Sequence, residues 1–551
     1  MKENSFIKLY EQTFRNHFEY PALTDYGTHR TLTYGDVAKQ VEKLHILLEE
    51  CKVKKGDKVA LVGRNNSNWC IAFMGVVTYG AVVVPILHDF SADDIHHIVN
   101  HSDSVLLFAS DSIWETLEGD KITELRMAFS LTDFNLLYKK SREESVPTQE
   151  EINEKLEKKY PAGFSQRDIN YDNIPDSNII VLNYTSGTTG FSKGVMITGD
   201  NLTGNLTFAH NTIHLEKGDN MISFLPLAHT YGCAFEFLFP FMEGCHITLL
   251  NKTPSPKILL KAYEEIKPVL IIVVPLILEK IYKKMIYPMI SKSIMRVALN
   301  IPIVNEQIYT RIRKKLTEAF GGKFSQIITG GAPLNREVED FLIKIKFPIT
   351  VGYGMTECAP LISFSQAKDY VPHSCGKVLP NMQIRIDSED PYNIAGEIQV
   401  KGQNVMAGYY KNEEATKETF TKDGWLKTGD LGTIDKDQNV FIRGRSKSMI
   451  LGASGQNIYP EGIEAKLDNF PFITESIVVE RNGKLVALVY PDYDAIDAEK
   501  ISVENLPNIL AENKDELNKI LAGYEKISEI QIHPHEFEKT PKKSIKRYLY
   551  K

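Results

Sequence analysis

The sequence predicts an α/β protein in which helix-covered, largely parallel sheets are followed by a small α+β domain. Three observations carry this. Strand-like apolar runs alternate with helical patterns through the first two-thirds of the chain, the pattern of parallel sheets covered by helices. Beyond Gly396 the texture changes to short runs suited to antiparallel pairing. The 551 residues are also too many for one core, at roughly 150 residues per domain.

The elements follow in chain order. Thr33 opens a helix: Asp36 completes an approximate capping box, and Val37, Val41, Leu44 and Leu48 recur at helical spacing. Residues 58–63 (KVALVG), 81–86 (AVVVPI) and 104–109 (SVLLFA) are continuous apolar runs and are expected to be buried strands. Residues 139–160, dense in Lys and Glu, suit a solvated helix or loop. Four later segments share one design, a β-rich run ending in Gly, Thr or Ser: NIIVLNYTSGTTG, LIIVVP, SQIITGGAP and ITVGYGMTE. Ligands of open α/β sheets collect beyond the carboxyl ends of strands, so these exits are expected to converge on one crevice. GEIQVKG and NVFIRGR are expected to be antiparallel strands, residues 460–467 a helix, and ESIVVERNGKLVALVYP a hairpin turning at Asn482-Gly483.

Composition removes several function classes. With 64 Lys+Arg against 71 Asp+Glu the net charge is −7, so no overall basic field exists to hold nucleic acid. The N-terminal residues carry no apolar stretch suited to a signal peptide, and no segment reaches about 18 uninterrupted apolar residues; a cytoplasmic protein is expected. Six scattered cysteines without a CxxC pair indicate reduced thiols rather than a zinc site or a disulfide framework. Cys358 is a candidate nucleophile by its place after a motif, but no activating base is identifiable beside it. Residues 280–323 mix Lys and Arg with Ile, Met and Tyr, a composition that suits either peripheral contact with a membrane or a plain surface helix pair.

Residues 184–195, YTSGTTGFSKGV, concentrate hydroxyls, glycines and one lysine after a strand. Gly187, Gly190 and Gly194 let backbone N–H groups approach an anion, the Thr and Ser hydroxyls donate, and Lys193 adds a point charge. That is polyphosphate chemistry, yet Ser192 and Gly194 stand where a Walker loop needs Gly and Ser or Thr. Those two positions argue against a P-loop NTPase.

YTSGTTGFSKGV resembles the phosphate-loop signature of the AMP-forming adenylating superfamily, which includes acyl-CoA synthetases, peptide-synthetase adenylation domains and firefly luciferase. Further segments resemble the family in the correct order across nearly the whole chain. LPLAHTYG (225–232) is similar to the segment lining the acyl pocket and brings His229, Tyr231 and Gly232 to it. GGAP (330–333) and GYGMTE (352–357) resemble the adenine-binding loops, implicating Gly331, Ala332, Pro333, Gly352, Tyr353 and Gly354. KTGD ends at Asp430, the ribose position, and RGRSKSMI (443–450) resembles the interdomain hinge, at Lys447. The resemblance implies that Thr185, Ser186, Gly187, Thr188 and Thr189 hold ATP with Lys193, that Arg445 joins Asp430 at the sugar, and that Thr185 and Glu357 hold Mg²⁺. It adds to the fold a small barrel-like part in the N-terminal domain, 1–445, and mobility of the C-terminal domain, 446–551.

The chemistry of the residues agrees with these roles. Tyr353 offers an aromatic face to adenine, Thr356 can donate to the α-phosphate, and Glu357 supplies a hard oxygen suited to Mg²⁺. Asp430 can accept from both ribose hydroxyls. His229 suits a hydrogen-bonded core position as well as a gate at the acyl pocket.

The resemblance is strongest to bacterial long-chain fatty acyl-CoA synthetases. It implies that a fatty acid and ATP give acyl-AMP and pyrophosphate, and that CoA then gives acyl-CoA and AMP. A carrier-protein phosphopantetheine as acceptor, an aromatic acid as substrate, a lapsed acyl- or nucleotide-binding sensor and a phosphotransferase are the alternatives. The tail departs from the family: where Gly-Lys-Ile is usual this chain reads TPKKSIKR (540–547), with Ser544 at the lysine position. Lys543, its neighbour, is the expected catalytic lysine, with Lys546 second.

Overall fold

Strand Lys58–Val62 pairs in parallel with Val82–Ile86 on one side and Ser104–Ala109 on the other, the centre of an eight-stranded sheet in a computed structural model. The structure describes residues 5–141, 145–185, 193–251, 255–290, 295, 298–301, 304–451, 457–540 and 545–550. The three apolar runs therefore form neighbouring strands, as their uninterrupted hydrophobicity requires of strands covered on both faces. Val82–Ile86 pairs in parallel with Ile179–Thr185, and Ser104–Ala109 with Met127–Ser130. Antiparallel strands close the sheet: Leu136–Lys139 at one edge, Lys193–Thr198 and then Gly408–Tyr409 at the other.

Local signals act where they were expected. Thr33 caps helix Tyr34–Glu50 with a complete capping box to Asp36. The charged stretch contains helix Gln149–Lys159, capped by Thr148 and Glu151, with Ile152 and Leu156 buried. Helix Ser67–Tyr79 is buried on nearly every side, with Trp69 stacked on Phe73 at 5.6 Å, because it runs between two sheets rather than over a surface.

The four Gly-, Thr- or Ser-ended runs do not lie in one sheet. Ile179–Thr185 belongs to the eight-stranded sheet, whereas Ile271–Val273, Ile327–Thr329 and Ile349–Val351 form their own three-stranded parallel sheet. Two further antiparallel sheets follow, one of three strands and one of four, joined by a bridge between Lys377 and Asn439; these are the barrel-like part. Gly396–Gly402 and Val440–Arg445 both sit in the four-stranded sheet, with Leu426–Ile434 between them.

The C-terminal region has a core of its own, including Ile463, Leu467, Val478, Leu510 and Leu517. Helix Pro460–Leu467 and hairpin Ile473–Arg481/Lys484–Pro491 occupy the expected positions. Asn482 at φ 54° and Gly483 at φ 73° give the turn the left-handed pair of residues that a tight two-residue hairpin needs. This unit touches the large domain through the Lys283 ammonium on the Asp468 carbonyl at 3.1 Å. Asn335 Nδ2 adds bonds to the Ala465 carbonyl at 3.2 Å and Asn469 Oδ1 at 2.5 Å. Lys283, in the basic 280–323 stretch, is thus engaged with the small domain. Among the described residues no helix is long and apolar enough to cross a membrane.

Candidate active site

The loops expected to hold a nucleotide meet at the ends of two sheets. Gly352 N–H donates to the Thr329 carbonyl at 2.9 Å, which ties GYGMTE to the loop carrying Gly331, Ala332 and Pro333. Gly354 needs the absence of a side chain: a Cβ there would lie 2.2 Å from the Pro360 carbonyl oxygen. Tyr353 is 8% exposed, and its hydroxyl donates to Asp430 Oδ2 at 2.7 Å. Arg445 lies opposite Asp430 across the ladder of Leu426–Ile434 and Val440–Arg445, and its Nε sits 2.8 Å from Asp430 Oδ1. Antiparallel register thus delivers the acid and the base to one point. Burial pushes the Asp430 carboxyl up, opposed by Arg445 and Tyr353.

Thr185 ends its strand directly across from Lys193. Lys193 Nζ lies over the ring of Tyr409, 4.9 Å from its centre, and the Tyr409 hydroxyl donates to Glu357 Oε1 at 2.9 Å. Glu357 is half-buried in the short helical turn Thr356–Cys358, in which Thr356 is buried. Lys193 and Glu357 are therefore brought to one tyrosine that sequence reasoning missed. The available signal was the aromatic pair in GYYKN, without a spacing rule to interpret it. Ser186, Gly187, Thr188, Thr189 and Gly190 lie outside the described residues, as do Lys543 and Ser544. Lys546 pairs with Glu538 at 3.3 Å.

The segment 225–232 is held by three side chains from three elements. Asn65 donates to the Leu225 carbonyl at 2.7 Å and accepts from Leu227 N–H at 3.1 Å. Asn183 donates to the Ala228 carbonyl at 2.9 Å. Glu236, fully buried in the π-helical turn Cys233–Leu238, accepts the N–H groups of Phe224 and Leu225, both at 2.8 Å. Burial raises the Glu236 carboxyl well above its ordinary range against those two bonds. These three residues were also missed, because each is bonded to the backbone of the motif rather than belonging to it. His229 stands just before the turn Thr230–Gly232 and is half-buried. The Tyr231 hydroxyl reaches the Ile328 carbonyl at 3.3 Å, linking this segment to the strand that leads into GGAP.

Burial bears on one further residue, Cys358. Cys358 is fully buried and its thiol is pushed well up, so it is no nucleophile. All six cysteines are free. Lys447 lies in the turn 446–448, anchored at one end by Ser446 N–H on the Gly429 carbonyl at 2.9 Å and at the other by Met449 N–H on the Arg445 carbonyl at 3.1 Å.

Known proteins resemble this chain along most of its length. The model of the AMP-binding enzyme family matches residues 10–410. Long-chain-fatty-acid–CoA ligase FadD15 of Mycobacterium bovis is 28% identical over 575 aligned positions, covering 96% of this chain and 91% of the relative. 4-Coumarate–CoA ligase CCL1 of Humulus lupulus is 28% identical, covering 86% of this chain and 82% of the relative. Among solved structures, the anthranilate CoA ligase AuaEII in complex with anthranoyl-AMP superposes with a TM-score of 0.78 at 19% identity, covering 99% of this chain and 96% of that one. The chain belongs to the AMP-binding enzyme family. Its class of reaction is ATP-dependent, AMP-forming acyl-CoA ligation.

Proposed function

We propose that the protein activates a long-chain fatty acid in two half-reactions at one site. In the first, the carboxylate attacks the α-phosphorus of ATP, forming the acyl-AMP mixed anhydride and releasing pyrophosphate. In the second, the CoA thiol gives up its proton, attacks the acyl carbon and expels AMP. The similarity to FadD15 along 96% of the chain carries the choice of acid.

Tyr353 is read as the adenine platform, and Asp430 with Arg445 as the ribose anchor. Lys193 and Thr356 stabilise charge on the phosphates, together with Ser186, Gly187, Thr188 and Thr189. This is electrostatic catalysis without a protein nucleophile. Thr185 and Glu357 fit Mg²⁺: both offer hard oxygens, and the Tyr409 hydroxyl already orients the Glu357 carboxylate. When bound, Mg²⁺ supplies charge neutralisation on the polyphosphate.

His229, Tyr231 and Gly232 are read as lining the acyl pocket, and Lys447 as the hinge between domains 1–445 and 446–551. CoA is the proposed acceptor, with a carrier-protein thiol as the alternative. Similarity to CCL1 supports a second reading, an aromatic acid at the same site. Tyr287, Ile301 and Val304 are exposed within the basic stretch 280–323, which keeps a peripheral membrane contact within the proposal. The deciding experiment presents a panel of fatty and aromatic acids with ATP, Mg²⁺ and CoA and reads AMP, ADP and thioester by mass spectrometry. Long-chain thioester with AMP is expected. ADP would reject adenylation, and preferential aromatic thioester would reject the fatty-acid reading.

A further inference from the structure

Tyr409 occupies a short strand, Gly408–Tyr409, that pairs with Lys193–Thr198 and sets Tyr409 opposite Val195. The ladder continues on both sides of it: Ala407 N–H donates to the Met196 carbonyl at 3.0 Å and Tyr410 N–H to the Gly194 carbonyl at 2.8 Å. The strand leaving the phosphate loop is therefore gripped on one edge by Ile179–Thr185 and on the other by a segment more than two hundred residues away in sequence. Met406 N–H donates to the Glu357 carbonyl at 2.9 Å, so the backbone bearing the carboxylate is stitched to the same segment.

Tyr409 is 7% exposed. Its hydroxyl is the donor in the bond to Glu357 Oε1 at 2.9 Å. The ring's electron-rich face takes the Lys193 ammonium, and the opposite end of the same side chain takes the Glu357 carboxylate. A direct Lys193–Glu357 ion pair would spend both charges on each other and withdraw them from phosphate and metal.

We propose that Tyr409 is a positioning residue that holds Lys193 and Glu357 apart while orienting each, so that the cation stays available to the triphosphate and the carboxylate to the metal. The proposal rests on the reading of those two residues given above. It separates the two ends of one side chain: Tyr409→Phe removes only the hydroxyl, while Tyr409→Leu also removes the aromatic spacer.

The test measures binding, independently of turnover. ATP affinity in the presence of chelator, by calorimetry, reports Lys193; Mn²⁺ affinity of the ATP complex, by electron paramagnetic resonance, reports Glu357. Tyr409→Phe is expected to weaken Mn²⁺ by roughly tenfold, as for loss of one hydrogen bond to a charged group, with metal-free ATP affinity within about twofold of the parent. Tyr409→Leu is expected to weaken both by roughly tenfold, and adding Glu357→Gln to it should restore metal-free ATP affinity by freeing Lys193. Tyr410→Phe, which removes the neighbouring hydroxyl from Asp103, should leave Mn²⁺ affinity alone. Equal loss of both affinities in Tyr409→Phe, or of Mn²⁺ affinity in Tyr410→Phe, would mean general loosening and overturn the proposal. Wild-type binding by both Tyr409 variants would do the same. Should Tyr409→Leu not fold, the Phe variant decides alone. Lys193→Ala and Glu357→Gln are run alongside: if neither alters binding the site reading itself fails, whereas if both do and the Tyr409 variants do not, only this proposal fails.

Discussion

Tyr353 and Asp430 are joined by a 2.7 Å hydrogen bond, so the side chain proposed to face the base is bonded to the carboxylate proposed to hold the sugar. A nucleotide then meets a prearranged pair rather than two independent groups, which lowers the ordering cost of binding.

Because the Tyr353 hydroxyl favours the ionised form of Asp430 and burial opposes it, Tyr353→Phe should raise the Asp430 pKa further while keeping the aromatic face. The expected result is a KM for ATP raised by about tenfold at mildly acidic pH, as for loss of a bond to a charged acceptor. The defect should shrink as pH rises and the carboxyl ionises. A set of KM values against pH for both proteins checks this; a constant ratio across the series would show that the bond does not tune Asp430.

A second pH dependence lies in the small domain. Glu464 is buried, accepts from Val478 N–H at 2.6 Å and pairs with Arg547, yet burial pushes its carboxyl from 4.5 up to about 7. Asp468 moves in the same direction, to about 8. A folded-state pKa above the unfolded value means that the folded chain binds more protons between the two, so stability falls as pH rises through that window. Thermal unfolding midpoints should decline from about pH 4.5 to about pH 8. Glu464→Gln should lessen the decline up to about pH 7, leaving the part that Asp468 contributes, and an unchanged slope in that variant would assign the effect elsewhere.

What the sequence disclosed follows the range of the physics involved. Thr33 with Asp36, and Asn482 with Gly483, are settled within a few residues by capping and turn geometry. The apolar runs at Val59, Val83 and Leu106 needed only continuous hydrophobicity. The nucleotide loops were legible because a strand exit followed by glycine has a recognisable texture, and Asp430 and Arg445 because a motif names each. Tyr409, Glu236, Asn65 and Asn183 carry no such local mark. Each acts on a backbone or side chain brought near by the fold, such as Asn65 on Leu225, and a pairing of that kind has no period or spacing to read.

The hinge reading has its own test. Lys447 sits in a turn between Arg445, engaged with Asp430, and Met449, whose N–H is bonded to the Arg445 carbonyl. Lys447→Pro fixes φ near about −65° and should trap one domain orientation. Adenylation, followed by pyrophosphate release, is expected to survive while thioester formation falls. Equal loss of both half-reactions would reject rotation about this point.

The tail lysine is the remaining catalytic question. The adenylation transition state gathers negative charge from the carboxylate and the α-phosphate, and a hydrogen-bonded cation there is worth more than elsewhere in the site. Ser544 cannot supply one. Lys546 is held against Glu538 at 3.3 Å, and its backbone N–H donates to the Glu538 carbonyl at 2.8 Å. Recruiting it would break that pair. Lys543 is adjacent in sequence to Ser544, the position in register with the family's lysine, and is the proposed substitute. Lys543→Ala is therefore expected to slow adenylation by roughly 10² to 10³, about 3 to 4 kcal/mol, while thioester formation from supplied acyl-AMP stays close to normal. Lys546→Ala should leave adenylation near the parent rate. Pre-steady-state measurement of both half-reactions in these variants and in Ser544→Lys separates the candidates: undiminished adenylation by Lys543→Ala, or a large gain in Ser544→Lys, would show that Lys543 does not replace the missing lysine.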